Sequence, residues 1–194
     1  MNKRFFTVKT IAALGILTAL VVALQLVSNY IQFGPVSITL ALVPIVVGAL
    51  LYGPWAGLFL GLVDGAIILT APSTIGVFMP ITPLGTVLIC LIKTAVAGMV
   101  AGFIFLPFKK RNTHLLLGSI LAAISVPIIN TTIFGLGFLL LFRTLVPDGE
   151  NAFLFLLVSV ITWNFFVEFA VNSFLSPSIY RIYLAFKERH ENEL

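Results

Sequence analysis

Apolar positions along this chain do not alternate with polar ones; they run on. No charged side chain falls between Lys9 and Asp64, or between Lys93 and Lys109. A membrane-crossing helix needs about 20 mostly apolar residues, so the stretch before Asp64 alone has room for two or three. Turn chemistry supplies the cuts. Gln32-Phe33-Gly34-Pro35 ends the first run and Gly53-Pro54 the second, while Ala71-Pro72-Ser73-Thr74-Ile75-Gly76, with Pro80 and Pro83 beyond it, interrupts the third. Pro147-Asp148-Gly149-Glu150-Asn151 precedes the last. The pattern predicts an all-α integral membrane protein of one domain, residues 1–194. Its six-transmembrane-helix bundle spans about residues 9–30, 36–52, 54–70, 83–106, 114–142 and 153–176. The loop of about a dozen residues before Pro83 is long enough to be functional. The last helix is expected to bend or stop at Ser176-Pro177, leaving 177–194 as an amphipathic tail on the cytoplasmic surface.

Charge orients the bundle. Lys3, Arg4 and Lys9 precede the first helix, Lys109, Lys110 and Arg111 join the fourth to the fifth, and Arg181, Lys187 and Arg189 follow the sixth. The opposite side holds Arg143 alone. The positive-inside rule then puts both termini in the cytoplasm. Aromatic residues agree, with Tyr30, Phe33, Phe142 and Phe153 at the outer interface and Tyr52, Trp55, Phe108 and Tyr180 at the inner one. The basic start followed by an apolar run imitates a secretory signal. The run exceeds the 7–15 residues of such a segment and no polar domain follows, so it is read as the first span.

Composition removes other classes. Sixty per cent of residues are hydrophobic, 9% are charged and the mean hydropathy is +1.15, against about 25% charged in soluble domains. A membrane β-barrel would alternate apolar and polar residues in ten-residue segments, and these runs do not. The net charge of +4 sits at the ends of apolar runs, a topology signal and not a nucleic-acid face. One cysteine, Cys90, allows no intrachain disulfide and no cysteine metal cluster. No phosphate-binding loop, zinc-protease helix or nucleophile elbow occurs, and His114 and His190 both lie at the cytoplasmic edge. Catalysis by paired carboxylates is not expected either. Counted down a straight last helix, Glu168 would stand about 10 Å deeper than Asp64, bonded in the cytoplasmic half. The chain is not expected to be an enzyme or to hold a cofactor or metal.

Two patterns remain. Small residues recur every fourth position: Gly53, Gly57, Gly61 and Gly65, then Thr94, Gly98 and Gly102, then Gly15, Ala19 and Ala23. Such stripes let helix backbones touch where apolar side chains gain nothing over lipid. On the third and fourth helices they predict internal packing; on the first, contact with another subunit is equally open. Intramembrane polar groups are the second pattern. Asp64, Lys93, Asn130 and Asn164 all fall within about 9–20 Å of the outer surface, where ionised groups need partners or a cavity. An Asp64–Lys93 ion pair and a solute pocket whose Lys93 meets an anion are both open. Asn130-Thr131-Thr132 and Trp163-Asn164 favour the pocket, because amides, hydroxyls and an indole among apolar walls make a small-molecule site.

These features resemble the substrate-binding S components of energy-coupling-factor (ECF) vitamin transporters, over nearly the whole chain. The stretch from Leu42 to Gly57 is similar to the P-x-x-x-G-x-x-x-x-G-P-x-x-G block of the folate- and pantothenate-type subfamily. Pro44, Gly48, Gly53, Pro54 and Gly57 supply its fixed positions. Lys93 to Gly102 and Asn130-Thr131-Thr132-Ile133-Phe134 are similar to that subfamily's later helices. The resemblance implies a subunit of an ABC-type importer in the bacterial plasma membrane. It would capture a vitamin from outside under a lid of outer loops and work with a transmembrane T subunit and two ATPases. Helix one would dock the T subunit through an Ala-x-x-x-Ala pattern that Ala19 and Ala23 match, with Gly15 in place of the alanine one turn earlier.

Group matching within that family points to pantothenate. Its carboxylate would meet Lys93, its polar backbone Asn130, Thr131 and Asn164, with Trp163 and Thr86 in the pocket and Phe78, Met79 and Thr82 in the lid. Folate, niacin and pyridoxine-like solutes are alternatives. A stand-alone secondary transporter, which should show paired repeats with broken helices, and a ligand-free scaffold are the rival classes.

Overall fold

A computed structural model describes residues 8–33, 36–37 and 39–191; the basic residues Lys3 and Arg4 and the Gly34-Pro35 break lie outside them. Among the described residues seven α-helices follow one another: α1 (Val8–Ser28), α2 (Leu42–Tyr52), α3 (Pro54–Ile68), α4 (Pro83–Arg111), α5 (Leu115–Leu141), α6 (Ala152–Phe155) and α7 (Thr162–Glu191). By length and apolar composition α1, α4 and α5 can each cross a membrane, and the bent α6–α7 unit makes a fourth. Helices α2 and α3 have 11 and 15 residues, short for independent spans.

Helix ends follow local chemistry. Gly53, at φ +96°, takes a left-handed turn that a side chain would resist, and Pro54 then starts α3 with its fixed φ. Thr82 caps α4 through its hydroxyl, with Pro83 in the first turn.

Three elements differ from the sequence expectation. The second helix starts at Leu42, not near residue 36, because β1 (Gln32–Phe33) and β2 (Val36–Ser37) form a short antiparallel hairpin. Side chains meet its backbone donors: Leu40 N–H donates to Ser28 Oγ at 3.2 Å and Thr39 N–H to Glu168 Oε1 at 2.8 Å. The loop expected before Pro83 contains a π-helical turn, Thr74–Phe78. Finally, α7 passes straight through Pro177 to Glu191. Proline has no N–H for the carbonyl four residues back, and here the Ser176 hydroxyl donates to that Ser173 carbonyl at 2.8 Å. Residues 178–191 therefore form no separate surface tail. Ile179 and Tyr183 are buried in the core, and the Tyr183 and Phe105 ring centroids lie 4.9 Å apart. The expected helix 153–176 also opens differently: a π-helical stretch, Leu156–Ile161, precedes α7, and the unit bends by 47°.

The centre of the bundle is the α3–α4 contact. A Cβ on Gly57 would strike the carbonyl of Gly98, one on Gly61 that of Thr94 and one on Gly65 that of Cys90. Thr94 Oγ1 donates across this seam to Gly61 O at 2.6 Å. Helix α1 is peripheral: 11% of its apolar window is buried, against 50% for α4. Its deep attachment is polar, where Gln25 Nε2 donates to Asn29 Oδ1 and Asn29 Nδ2 to Ile67 O and Thr70 Oγ1.

Two alanine substitutions separate the seam from the periphery. Gly61→Ala should destabilise by about 1–3 kcal/mol or more through overpacking against backbone that cannot yield. Gly15→Ala should not destabilise and should gain up to about 1 kcal/mol, since a Cβ there meets nothing within 4 Å and alanine is the better helix former. Thermal unfolding in detergent compares them.

Candidate functional site

At the end of the bundle where α3 and α5 finish and α4 begins, five chain segments enclose a small cavity. Ser37 comes from the hairpin, Ile68 from the end of α3, and Ser73, Thr74 and Phe78 from the helical turn that follows. Helix α4 adds Thr86, Ile89, Cys90 and Lys93, and the α5 region adds Phe134 and Phe142. Phe78 packs edge-on against Phe142 at 4.9 Å and Phe134 at 5.9 Å between centroids, forming an aromatic wall. Hydroxyls and one cation face it. The cavity leaves about 20 Å³ for the centre of a water-sized molecule, close to the minimum for one water. Any organic solute requires the wall to move.

Lys93 is the only ionisable amine or acid lining this space among the described residues. It is 5% exposed, with its ammonium 5.6 Å from the Phe134 ring centroid, a cation–π distance. No hydrogen bond or ion pair joins Lys93 to another described residue, so the contact pair with Asp64 is not formed. Asp64 and Glu168 act on it through space.

A polar layer lies one helical turn beyond the cavity. Asp64 is one turn from Ile68 along α3, and Asn130 one turn from Phe134 along α5. Glu168, on α7, accepts from Thr39 N–H at 2.8 Å and from Asn130 Nδ2 at 3.2 Å; its own backbone carbonyl accepts from Asn172 Nδ2 at 2.9 Å. This corrects the expectation that Glu168 bonds in the cytoplasmic half. That depth assumed a straight helix from residue 153, whereas the 47° bend and the inward reach of the hairpin bring Glu168 to the level of Thr39. Asp64 is the opposite case, 0% exposed with both carboxylate oxygens lacking a hydrogen-bond partner.

Of the side chains expected at the site, Lys93, Thr86 and Phe78 line the cavity. Thr82 caps α4, accepting from Gly85 N–H through Oγ1 and from the Thr86 hydroxyl through its carbonyl. Met79, next to Phe78, is half-buried and does not line the space. Asn130 spends its amide on Glu168, and Asn164 is buried on α7. Thr131 turns into a separate shallow groove with Phe153 and Phe165. Trp163 is 68% exposed, outside the cavity: neighbours on a helix diverge by about 100°, so burying Asn164 sends the indole outward. Sequence reading missed Ser37, Ser73, Thr74, Phe134 and Phe142. The phenylalanines at 134, 138 and 142 do carry a signal, one every fourth residue on α5.

Gly15, Ala19 and Ala23 are all exposed on α1. Among the described residues no three His, Cys, Asp or Glu side chains gather as a metal site.

A family model described as ECF transporter, substrate-specific component, matches residues 9–180. The chain belongs to this family. No curated protein is similar enough to add to that assignment. Substrate-specific components are binding subunits of membrane transporters and not enzymes, and the cavity with its single lysine is the candidate substrate site of this one.

The two buried acids should respond oppositely to neutralisation. Asp64→Asn should unfold no earlier than wild type, because neither carboxylate oxygen accepts a hydrogen bond that the substitution could break. Glu168→Ala should lose ~1–3 kcal/mol for each buried donor left without an acceptor, the Thr39 N–H and hydroxyl and the Asn130 amide. Chemical denaturation of the detergent-solubilised protein measures both.

Proposed function

We propose that this substrate-specific component captures a small carboxylate-bearing vitamin outside the bacterial plasma membrane, with pantothenate as the best chemical match. It then delivers the vitamin with a T subunit and two ATPases. One observation carries the reading: a buried lysine with no hydrogen-bonded acceptor opens on a cavity otherwise walled by rings and hydroxyls. A lysine in that state lowers its energy by taking an anion. Pantothenate presents one carboxylate for Lys93 and hydroxyl and amide groups for Ser73, Thr74 and Thr86. Its methyl groups would rest against Phe78 and Phe134. The hairpin and residues 69–82 part to admit it, since drug-sized sites need about 300–1,000 Å³. Folate, with its long aromatic system, asks for a larger opening.

The same reading keeps six crossings with both ends in the cytoplasm, α2 and α3 serving as short spans and α6–α7 as one bent span. Lys187 Nζ donates to Asn112 Oδ1 at 2.8 Å, so the basic residues near the end of α4 and those of α7 share one end of the bundle. That clustering supports a cytoplasmic face there. The T subunit would meet the exposed α1 face at Gly15, Ala19 and Ala23, where no described side chain covers the small residues.

Binding and docking separate by substitution. Lys93→Ala should weaken pantothenate at least tenfold, about 1.4 kcal/mol, while affinity for the uncharged alcohol pantothenol changes little; calorimetry with both ligands decides. Equal losses for the two, or none, remove the anion contact. Ala19→Leu should leave binding intact yet abolish uptake in cells that also express the T subunit and ATPases, and unchanged uptake would remove the docking face.

A further inference from the structure

Helix α1 is held along one half only. Its buried residues, Val21, Gln25 and Ser28, all fall beyond Leu20, and none is buried from Val8 to Leu20. Where α1 stands free, an apolar groove with about 490 Å³ open to the centre of a water-sized molecule lies between it and helices α2 and α7. Ala13, Ile16 and Leu17 form one wall, Val47 and Leu51 the second, and Ile182 and Phe186 the third. Along α1 the groove runs from Lys9 to Leu17, about 12 Å at 1.5 Å per residue. Leu17 closes the inner end. Its side chain lies 3.5 Å from a Cβ built on Gly48, and Val21, one turn on, is fully buried. Lys9 and Thr10 stand at the other end. Lys109 lies behind the α2 wall, its Nζ donating to Leu50 O and Leu51 O at 3.1 and 2.8 Å. Glu188, on the same stretch of α7, does not line the groove.

Shape and charge together select the occupant. The groove is open at the basic end of the bundle and blind near mid-membrane, its length close to half of a hydrocarbon core of about 30 Å. A partner's transmembrane helix, about 10–12 Å across, would have to continue past Leu17 and cannot. An acyl chain entering from one leaflet ends there. Lys9 at the mouth then favours an anionic headgroup, as basic pockets between transmembrane helices do on the cytoplasmic side. We propose that this groove holds an acyl chain of an anionic glycerophospholipid from the cytoplasmic leaflet, with the Lys9 ammonium on its phosphate. The site rests on the orientation proposed above and is independent of the solute. The lipid braces the free half of α1. Gly15, Ala19 and Ala23 lie about 100° round that helix from the groove, so the brace supports the small-residue face without covering it.

Native mass spectrometry of the full chain in neutral detergent, titrated with phosphatidylglycerol or phosphatidylcholine of identical chains, tests the site. Wild type should retain one phosphatidylglycerol about fivefold more tightly than phosphatidylcholine, the worth of one lysine at a membrane surface. Lys9→Gln should remove that preference and leave phosphatidylcholine unchanged. Lys110→Gln, at an exposed residue outside the groove, should change either affinity less than about twofold, because solvent and salt screen a distant charge. Ala13→Trp, which fills the groove, should abolish retention of both lipids; Ala12→Phe replaces it if that variant does not fold. Equal affinities of wild type for the two lipids would mean an unselective chain and overturn the proposal. Equal losses from the two lysine variants would do the same, since they would mean diffuse attraction to a basic surface. Retention that survives both groove-filling variants would put the lipid elsewhere and overturn it too. Retention intact with loss of T-subunit co-purification would make the groove a protein interface instead. A Lys110→Cys variant labelled from outside intact cells by a membrane-impermeant thiol reagent would overturn the orientation, and the cytoplasmic-leaflet site with it.

Discussion

Backbone meets backbone between α3 and α4, and the position of the polar groups follows from that contact. In a bilayer, apolar side chains gain little by leaving lipid for one another, so close approach of main chains has to hold the helices. Glycines 57, 61 and 65 provide it, each facing a carbonyl of α4, and the Thr94 hydroxyl closes on Gly61 O. The register is consequential. It sets Asp64, next to the seam on α3, near Lys93, next to the seam on α4, at a level where lipid could not tolerate either alone.

Above and below that level the bundle separates its polar chemistry into layers. Toward the hairpin lie hydroxyls and an aromatic wall around a small cavity. Beneath it lie Asp64, Asn130 and Glu168, with Lys93 between the two. Each layer solves burial differently. Glu168 is solvated by a backbone N–H and an amide, Lys93 by the face of Phe134, and Asp64 by no hydrogen bond at all. Complete mutual pairing would have made a closed ion-pair network; instead the ammonium makes no ion pair with a described residue and rests on the Phe134 ring.

The cavity's size adds a mechanical requirement. Its α3–α4 wall cannot yield, because glycine-to-carbonyl contact leaves no slack. The rest of its boundary is the segment leading into α2, whose Leu40 and Thr39 amides are held by Ser28 and Glu168, and the segment from Leu69 to Thr82, which packs through Phe78 on Phe134 and Phe142. Backbone-packed and side-chain-packed walls thus meet at Lys93.

Much of this was readable in the linear order of residues. Unbroken apolar runs, Gly-Pro breaks and four-residue glycine spacing declared a packed membrane bundle, and charged or amide groups within those runs marked Lys93 and Thr86's helix as the place to look. Side-chain direction was not readable at adjacent positions. Trp163 and Asn164 look equally fit for a pocket in sequence, yet one faces outward and the other inward. Pro177 reads as a stop in sequence, yet the Ser176 hydroxyl serves the carbonyl that proline orphans. Glu168 falls too deep along a straight helix, and the 47° bend removes that depth. Periodicity and composition are local, and they determine which segments become apolar helices and where those segments break. Bends, rotations about each axis and the bond from Glu168 to a backbone amide 129 positions away depend on which surfaces meet, and only the packed chain decides that.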